Sequence, residues 1–221
     1  MTYTWDFASV FASRELLLIG LVNSVRLGVV CLAIGLAAGV FVGAARYSRN
    51  PLVNWPATAF IEVFRNTPAL IQIVWFFFAF PIISPFDIDA FTAAALALSL
   101  NTTAFCAEIY RGGIQSITRG QWEAAKAIGM SYNQQMRRVI LPQAVARMVP
   151  AFMNRAVELM KMTSLASVIA FGELMHQGKA IATYNFNPIE TYTVVALIFF
   201  VMIYPLALVV QRVELRLRRN D

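Results

Sequence analysis

Long apolar runs separated by short polar breaks set the pattern of the chain. An apolar helix needs about 20 residues to cross a bilayer. Five segments qualify, at about 16–45, 52–80, 90–110, 150–171 and 191–210. The first is interrupted only by Asn23, Ser24 and Arg26. Between the third and fourth lies a polar stretch, about 111–149, too long to be a simple turn. The pattern predicts an all-α integral membrane protein with five transmembrane helices, built as a single domain over 1–221.

Composition agrees and narrows the class. Hydrophobic residues make up 59% of the chain and charged residues 14%, with a mean hydropathy of +0.63. Soluble domains carry about 45–50% apolar and about 25% charged residues. The difference excludes disorder, a secreted disulfide scaffold and most cytosolic enzymes. Cys31 and Cys106 both sit inside apolar runs and offer neither metal-ligand spacing nor a disulfide framework. The residues before the first run hold one Arg and two acids. There is therefore no basic n-region, and a cleavable leader is not expected.

The net charge of +6 would point to nucleic acid in a soluble chain. Here the cations segregate instead. Twelve of the eighteen Lys and Arg residues fall in the loop after span one (Arg46, Arg49), in the long polar loop (Arg111, Arg119, Lys126, Arg137, Arg138, Arg147) and in the tail (Arg212, Arg216, Arg218, Arg219). The other side keeps only Arg14 and Lys179. The positive-inside bias places the N-terminus outside and the C-terminus in the cytoplasm. Topology accounts for the basic charge, and no nucleic acid is expected as a partner.

Arg26, Glu62, Arg65, Arg155, Glu158 and Lys161 fall inside spans. A charge at mid-membrane costs at least about 2.5–3.5 kcal/mol on insertion scales, so such groups face a bundle interior or a wet cavity. Glu62 and Arg65, Arg155 and Glu158, and Glu158 and Lys161 are each spaced i,i+3 and can pair. Asn154, Glu158 and Lys161 share one face of span four. Glu62 and Glu158 both lie about 12 Å from the inner interface at a rise of 1.5 Å per residue, which places two carboxylates at one depth and suggests one cavity. An ammonium group would suit them, whereas Arg65 or Lys161 would take a carboxylate. The competing reading is that these groups pair only with each other and fix helix register. Thr67-Pro68 should break span two, because Pro68 cannot donate to the Phe64 carbonyl, and transporters place substrate at such breaks. Asn101 in span three could line the same path. Gly35, Gly39 and Gly43 form a small-residue ridge, suited to internal packing or to a dimer seam.

In the polar loop a short helix should begin near Thr118 or Gln121, run through Glu123, Ala124 and Ala125, and end at Gly129. A second, amphipathic helix carries Met136, Val139 and Ile140, and Pro142 should end or bend it. Lipid could hold such a pair on the membrane surface. Glu123 alone reads equally as an acid favoured near a helix start.

Glu123-Ala124-Ala125, Gly129 and Leu141-Pro142 resemble the EAA motif of permease subunits of bacterial ABC importers, with Val139 where the pattern has Ile. The stretches Ala107 to Ile114, Gly120-Gln121-Trp122, Val63 to Pro68, and Asn154 with Lys161-x-Thr163-Ser164-Leu165 resemble the polar amino-acid uptake branch. The resemblance implies a type I importer-like permease in the bacterial inner membrane. It implies a coupling helix formed by Glu123, Ala124, Ala125, Gly129, Leu141 and Pro142 that docks on a separate ATP-binding ATPase dimer. It also implies a second permease subunit (identical or related), an extracytoplasmic substrate-binding protein and an amino-acid substrate. The expected substrate path is Glu62, Thr67, Asn101, Asn154, Glu158, Lys161 and Ser164. No catalytic residue, cofactor or metal is expected. The only Gly-Lys pair is Gly178-Lys179, and Glu173 stands where a P-loop needs its first Gly. The alternatives are an ion-gradient-driven transporter or channel subunit, an ABC permease for a non-proteinogenic amino-acid analogue, and a membrane anchor without a substrate path.

Overall fold

The computed structural model describes residues 5–218; Arg219 of the basic tail lies outside them. Every regular element among the described residues is helical. Asp6 caps the short α1 (Phe7–Ala12) by accepting from the Ser9 amide. α2 (Arg14–Tyr47) follows as one helix of 34 residues. It rises about 51 Å at 1.5 Å per residue, well beyond a bilayer core.

The second apolar segment is divided. α3 (Pro51–Asn66) stops before Thr67-Pro68, and α4 (Ala69–Val74) continues through a wide π-type turn, Trp75–Ala79, into α5 (Phe80–Ile83). The two halves meet at 105°. The break falls at the expected dipeptide, since Thr67 is extended (φ −101°, ψ 139°) as a residue preceding proline must be. α6 (Ala90–Gln115) starts on Asp89, whose carboxylate accepts the Thr92 amide at 2.9 Å. The Thr92 side chain first, and then its amide, hold the Asp89 carboxyl below its ordinary range. α6 outruns the expected end near residue 110 by one turn.

The polar loop folds into α7 (Arg119–Ala127), α8 (Tyr132–Gln135) and a second π-type turn, Met136–Ile140. This turn leads directly into α9 (Leu141–Met162). Of the two outcomes expected at Pro142, ending the helix or bending it, the first does not occur. Pro142 sits inside a continuous helical run, 132–162, just after the π-type turn in which the Leu141 amide reaches back to the Met136 carbonyl, and that wider turn accommodates a residue that has no N–H to give. The fourth segment therefore starts nine residues earlier than its apolar stretch, and it finishes as a 3₁₀ turn, Thr163–Ile169, closed by Ala170 in the left-handed region (φ 57°). α10 (Leu174–Asn185), which the apolar pattern did not single out, is capped by buried Glu173. That carboxylate accepts the Met175 and His176 amides at 2.8 Å each. α11 (Pro188–Arg218) closes the fold.

By length and composition α2, α6 and α11 can each cross a membrane alone, and the bent α3–α4–α5 pair forms a fourth candidate. α9 does not qualify, because Asn154, Arg155, Glu158 and Lys161 interrupt its apolar face.

The principal seam joins α2 to α6, and the glycine ridge makes it. A Cβ on Gly35 would stand 2.4 Å from Thr102 Cγ2, one on Gly39 2.6 Å from Cys106 Cβ, and one on Gly43 3.0 Å from the Ala107 carbonyl oxygen. Only hydrogen fits there, so the ridge serves packing inside the subunit. The core beside it is built from Leu27, Cys31, Ile73, Leu98 and Leu159 over the small residues Ala93, Ala94 and Ala97. Small residues at a helix interface let backbones approach and gain dispersion contacts, which are the principal source of helix association in lipid.

Candidate functional site

The site begins at the break between α3 and α4. With no N–H on Pro68, the Phe64 carbonyl loses its intrahelical donor, and in a membrane such a group must be satisfied internally. Two side-chain amides replace it: Gln72 Nε2 at 2.9 Å and Asn101 Nδ2 at 2.8 Å. Gln72 also donates to the Thr67 hydroxyl at 2.7 Å, and that hydroxyl donates to the Val63 carbonyl at 2.8 Å. Asn101 is buried and does not face an open path; the α3–α4 break claims its amide.

The other end of Asn101 leads to the charged cavity. Arg155 donates through NH2 to Asn101 Oδ1 at 2.6 Å and to Thr102 Oγ1 at 3.1 Å, and through NH1 to Glu158 Oε2 at 3.1 Å. Its guanidinium lies 4.2 Å from the Phe105 ring centroid. The Arg155 side chain is 3% exposed and that of Glu158 63%. The pair thus has one buried end and one open end. Phe105, Asn154, Arg155, Glu158 and Lys161 line a cavity of about 490 Å³ between α6 and α9. The helical face predicted for Asn154, Glu158 and Lys161 exists. Asn154 also donates to Glu214 of α11 at 3.0 Å. Of the three i,i+3 pairs, Arg155–Glu158 forms.

Glu62 does not join this cavity. Its carboxylate accepts from Asn66 at 2.9 Å and lies 3.8 Å from Arg46. Arg65 turns away from Glu62 toward Glu108 at 3.6 Å and lies over Phe105 at 5.3 Å. Equal depth therefore did not mean a shared site, because α3 and α9 present these carboxylates in different directions. Ser164 spends its hydroxyl on the Lys161 carbonyl at 2.8 Å within the 3₁₀ turn.

Sequence reasoning missed the hub at Glu108. This 14%-exposed carboxylate takes Arg111 at 2.6 Å, Arg46 at 3.6 Å and Arg65 at 3.6 Å, so it ties α2, α3 and α6 together. Arg46 is held further by the Thr58 hydroxyl, and its carbonyl accepts from Asn54. A signal was present, since Glu108 ends an apolar run and has Arg111 one turn on.

The polar loop forms a knob on its own small core of Ile117, Ile140, Ala144 and Met148. Ala125 is buried, while Glu123 and Ala124 are exposed and Ile128 stands out at 72% exposure. Gly129 ends α7 in the left-handed region at φ +79°. Its N–H reaches the Lys126 carbonyl at 3.0 Å and the next amide, Met130, reaches Ala125 at 3.2 Å. Ser131 and Gln134 form a capping box that starts α8. Glu123 is not a helix-start acid. It sits in the second turn and pairs with Arg119 at 2.8 Å. Leu141 and Pro142 are exposed in the first turn of α9.

Residues 35–219 match the family described as the binding-protein-dependent transport system inner membrane component. The chain belongs to that family. Among its relatives, the arginine transport system permease protein ArtQ of Bacillus subtilis (strain 168) is 34% identical over 216 residues, 98% of this chain and 99% of that one. The glutamine transport system permease protein GlnP of Escherichia coli (strain K12) is 36% identical over 97% of this chain and 98% of its own. A chain of a solved amino acid ABC transporter with histidines superposes with a TM-score of 0.91 at 34% identity, covering 98% of this permease and all of that chain. A chain of the inward-facing MetNI methionine ABC transporter shares the fold at a TM-score of 0.71 and 23% identity. The permease thus has the type I ABC permease fold over nearly its whole described length.

Proposed function

We propose that the protein is the membrane-spanning subunit of an ATP-driven importer for polar amino acids, in the bacterial inner membrane. Substrate arrives from an extracytoplasmic binding protein, and a second permease subunit completes the central route. α2, the bent α3–α4–α5, α6, α9 and α11 make five crossings, with the N-terminus outside. The α7–α8 knob then faces the cytoplasm and docks on an ATPase dimer through Glu123, Ala124 and the turn at Gly129.

The observation that carries this reading is the cavity holding Glu158, Arg155 and Lys161 side by side. A zwitterion needs both signs of charge within a few ångströms, and a membrane interior tolerates such groups where they serve a path. Glu158, with its carboxylate largely open, suits an ammonium or a cationic side chain. Lys161 and the buried Arg155 suit an α-carboxylate. The names of the relatives, for arginine and for glutamine, are consistent with that chemistry.

Reconstitution in proteoliposomes with the partner ATPase and binding protein tests the proposal. ATP-dependent uptake of L-arginine or L-glutamine is expected, and it should cease without the ATPase. Full-rate uptake that follows an ion gradient and needs no hydrolase refutes the reading. Single cysteines at Asn50 and Gln134 should label only after permeabilisation of intact cells; labelling from outside overturns the orientation.

A further inference from the structure

Arg155 is joined to the broken span by two separate routes. The first is polar: Arg155 donates to Asn101 at 2.6 Å, and Asn101 donates to the Phe64 carbonyl at 2.8 Å. The second is aromatic. Arg155 lies over the Phe105 ring at 4.2 Å, and Arg65, the residue after Phe64, lies over the same ring at 5.3 Å. Both distances are within the range of about 6 Å at which a guanidinium is attracted to a ring face. Arg65 in turn reaches the Glu108 hub. Both routes end at the break between α3 and α4.

Arg155 is also short of one acceptor, since its buried Nε makes no hydrogen bond. A buried guanidinium N–H without a partner is costly. A ligand ammonium entering the cavity competes with Arg155 for the open carboxylate of Glu158. That competition changes how strongly Arg155, already short of a partner at Nε, holds Asn101 and Phe105.

We infer that Phe105 and Asn101 are positioning residues that transmit occupancy of the Glu158–Lys161 cavity to the Thr67-Pro68 break. This rests on the transport reading of that cavity. By linkage, a cavity whose occupancy biases the break is itself bound differently in the two arrangements of the break.

The test uses the assembled transporter with an environment-sensitive thiol label at Val63→Cys. Val63 is 57% exposed and one turn before the break, whereas Cys31 and Cys106 are fully buried. Millimolar L-arginine and L-glutamine are the probes, and equilibrium binding of each is measured in parallel. The label should respond to a bound amino acid. Phe105→Tyr keeps the ring face and should keep the response. Phe105→Leu should cut it by about fivefold or more, the lower end of typical coupling between sites. Arg65→Gln, a partly exposed change that spares the core, should do the same and covers the case in which Phe105→Leu fails to insert. A response left intact by both Phe105→Leu and Arg65→Gln overturns the inference alone. No binding and no response in the unsubstituted background overturns the cavity reading and the inference with it.

Discussion

Gly129 offers the sharpest separation of a coupling role from a folding role. Its φ of +79° is in the region that side chains rarely adopt, and a Cβ there would meet nothing within 4 Å. The cost of substitution is thus pure backbone strain with no clash added. For a non-glycine residue the left-handed conformation costs roughly 1–2 kcal/mol, and β-branching makes it worse, whereas Asn is the side chain best able to adopt it. At 1.4 kcal/mol per tenfold, Gly129→Val should lower the equilibrium constant that favours the native α7 terminus by about tenfold. The amides of Gly129 and Met130 would then leave the Lys126 and Ala125 carbonyls, and the exposed Ile128 beside them would move. The assay is amino-acid uptake per ATP hydrolysed in proteoliposomes, with the amount of inserted permease measured alongside. The Gly129→Val permease should insert normally, hydrolyse ATP and transport less per ATP, with about tenfold as the upper limit of the loss. Gly129→Asn should lie close to the parent, and Gly129→Ala between the two. Equal uptake per ATP in the Gly129→Val variant and the parent would refute the docking role of this turn. An order that follows side-chain size rather than left-handed tolerance would refute the strain argument.

Charge reversal by Glu123→Lys should also lower uptake per ATP. Glu123 and Arg119 are 64% and 90% exposed, so their pair is worth less than about 1 kcal/mol and thermal stability should barely change; a large fall in melting temperature would make Glu123 a folding residue instead. Glu158→Gln should weaken uptake of L-arginine more than that of L-glutamine, because it removes the open carboxylate of the cavity. Equal effects on the two would support a role in helix register only. Gly39→Leu should destabilise the solubilised protein by about 1–3 kcal/mol, as overpacking does, because Cys106 Cβ stands 2.6 Å from the added carbon. Gly112→Leu, where a Cβ meets nothing within 4 Å, is the control, and equal melting temperatures for the two would sink the account of the α2–α6 seam.

Much of the fold was legible because lipid imposes simple rules. Apolar length located α2, α6 and α11, and the missing N–H of Pro68 located the bend. Gly129 located the end of α7. Two elements escaped for identifiable reasons. The start of α9 was hidden because Pro142 reads as a terminator in an isolated pattern, whereas the π-type turn just before it carries the helix through. α10 was hidden because its residues alternate between Leu174 and Ile181 in the core and exposed Lys179, Thr183 and Tyr184, which is too short and too mixed a face to read as a span.

The site was legible only as far as one helix at a time allows. Spacing along α9 put Asn154, Glu158 and Lys161 on one face correctly, because that is a property of a single helix. Pairing across helices failed for Glu62, since depth along the membrane says nothing about which way a helix is rotated. Asn101 failed more instructively. A polar residue in span three can face a path or satisfy a carbonyl, and what decides is a proline 33 positions earlier in the chain. Pro68 leaves the Phe64 carbonyl without its amide, and that carbonyl draws in Gln72 and Asn101. Once Asn101 Nδ2 is committed there, its Oδ1 faces the opposite way and receives Arg155. The guanidinium is then fixed over Phe105, with Glu158 at the cavity mouth. One imino acid thereby sets the position of the charge that the cavity presents, and the break between α3 and α4 and the cavity beside α9 are two ends of a single arrangement.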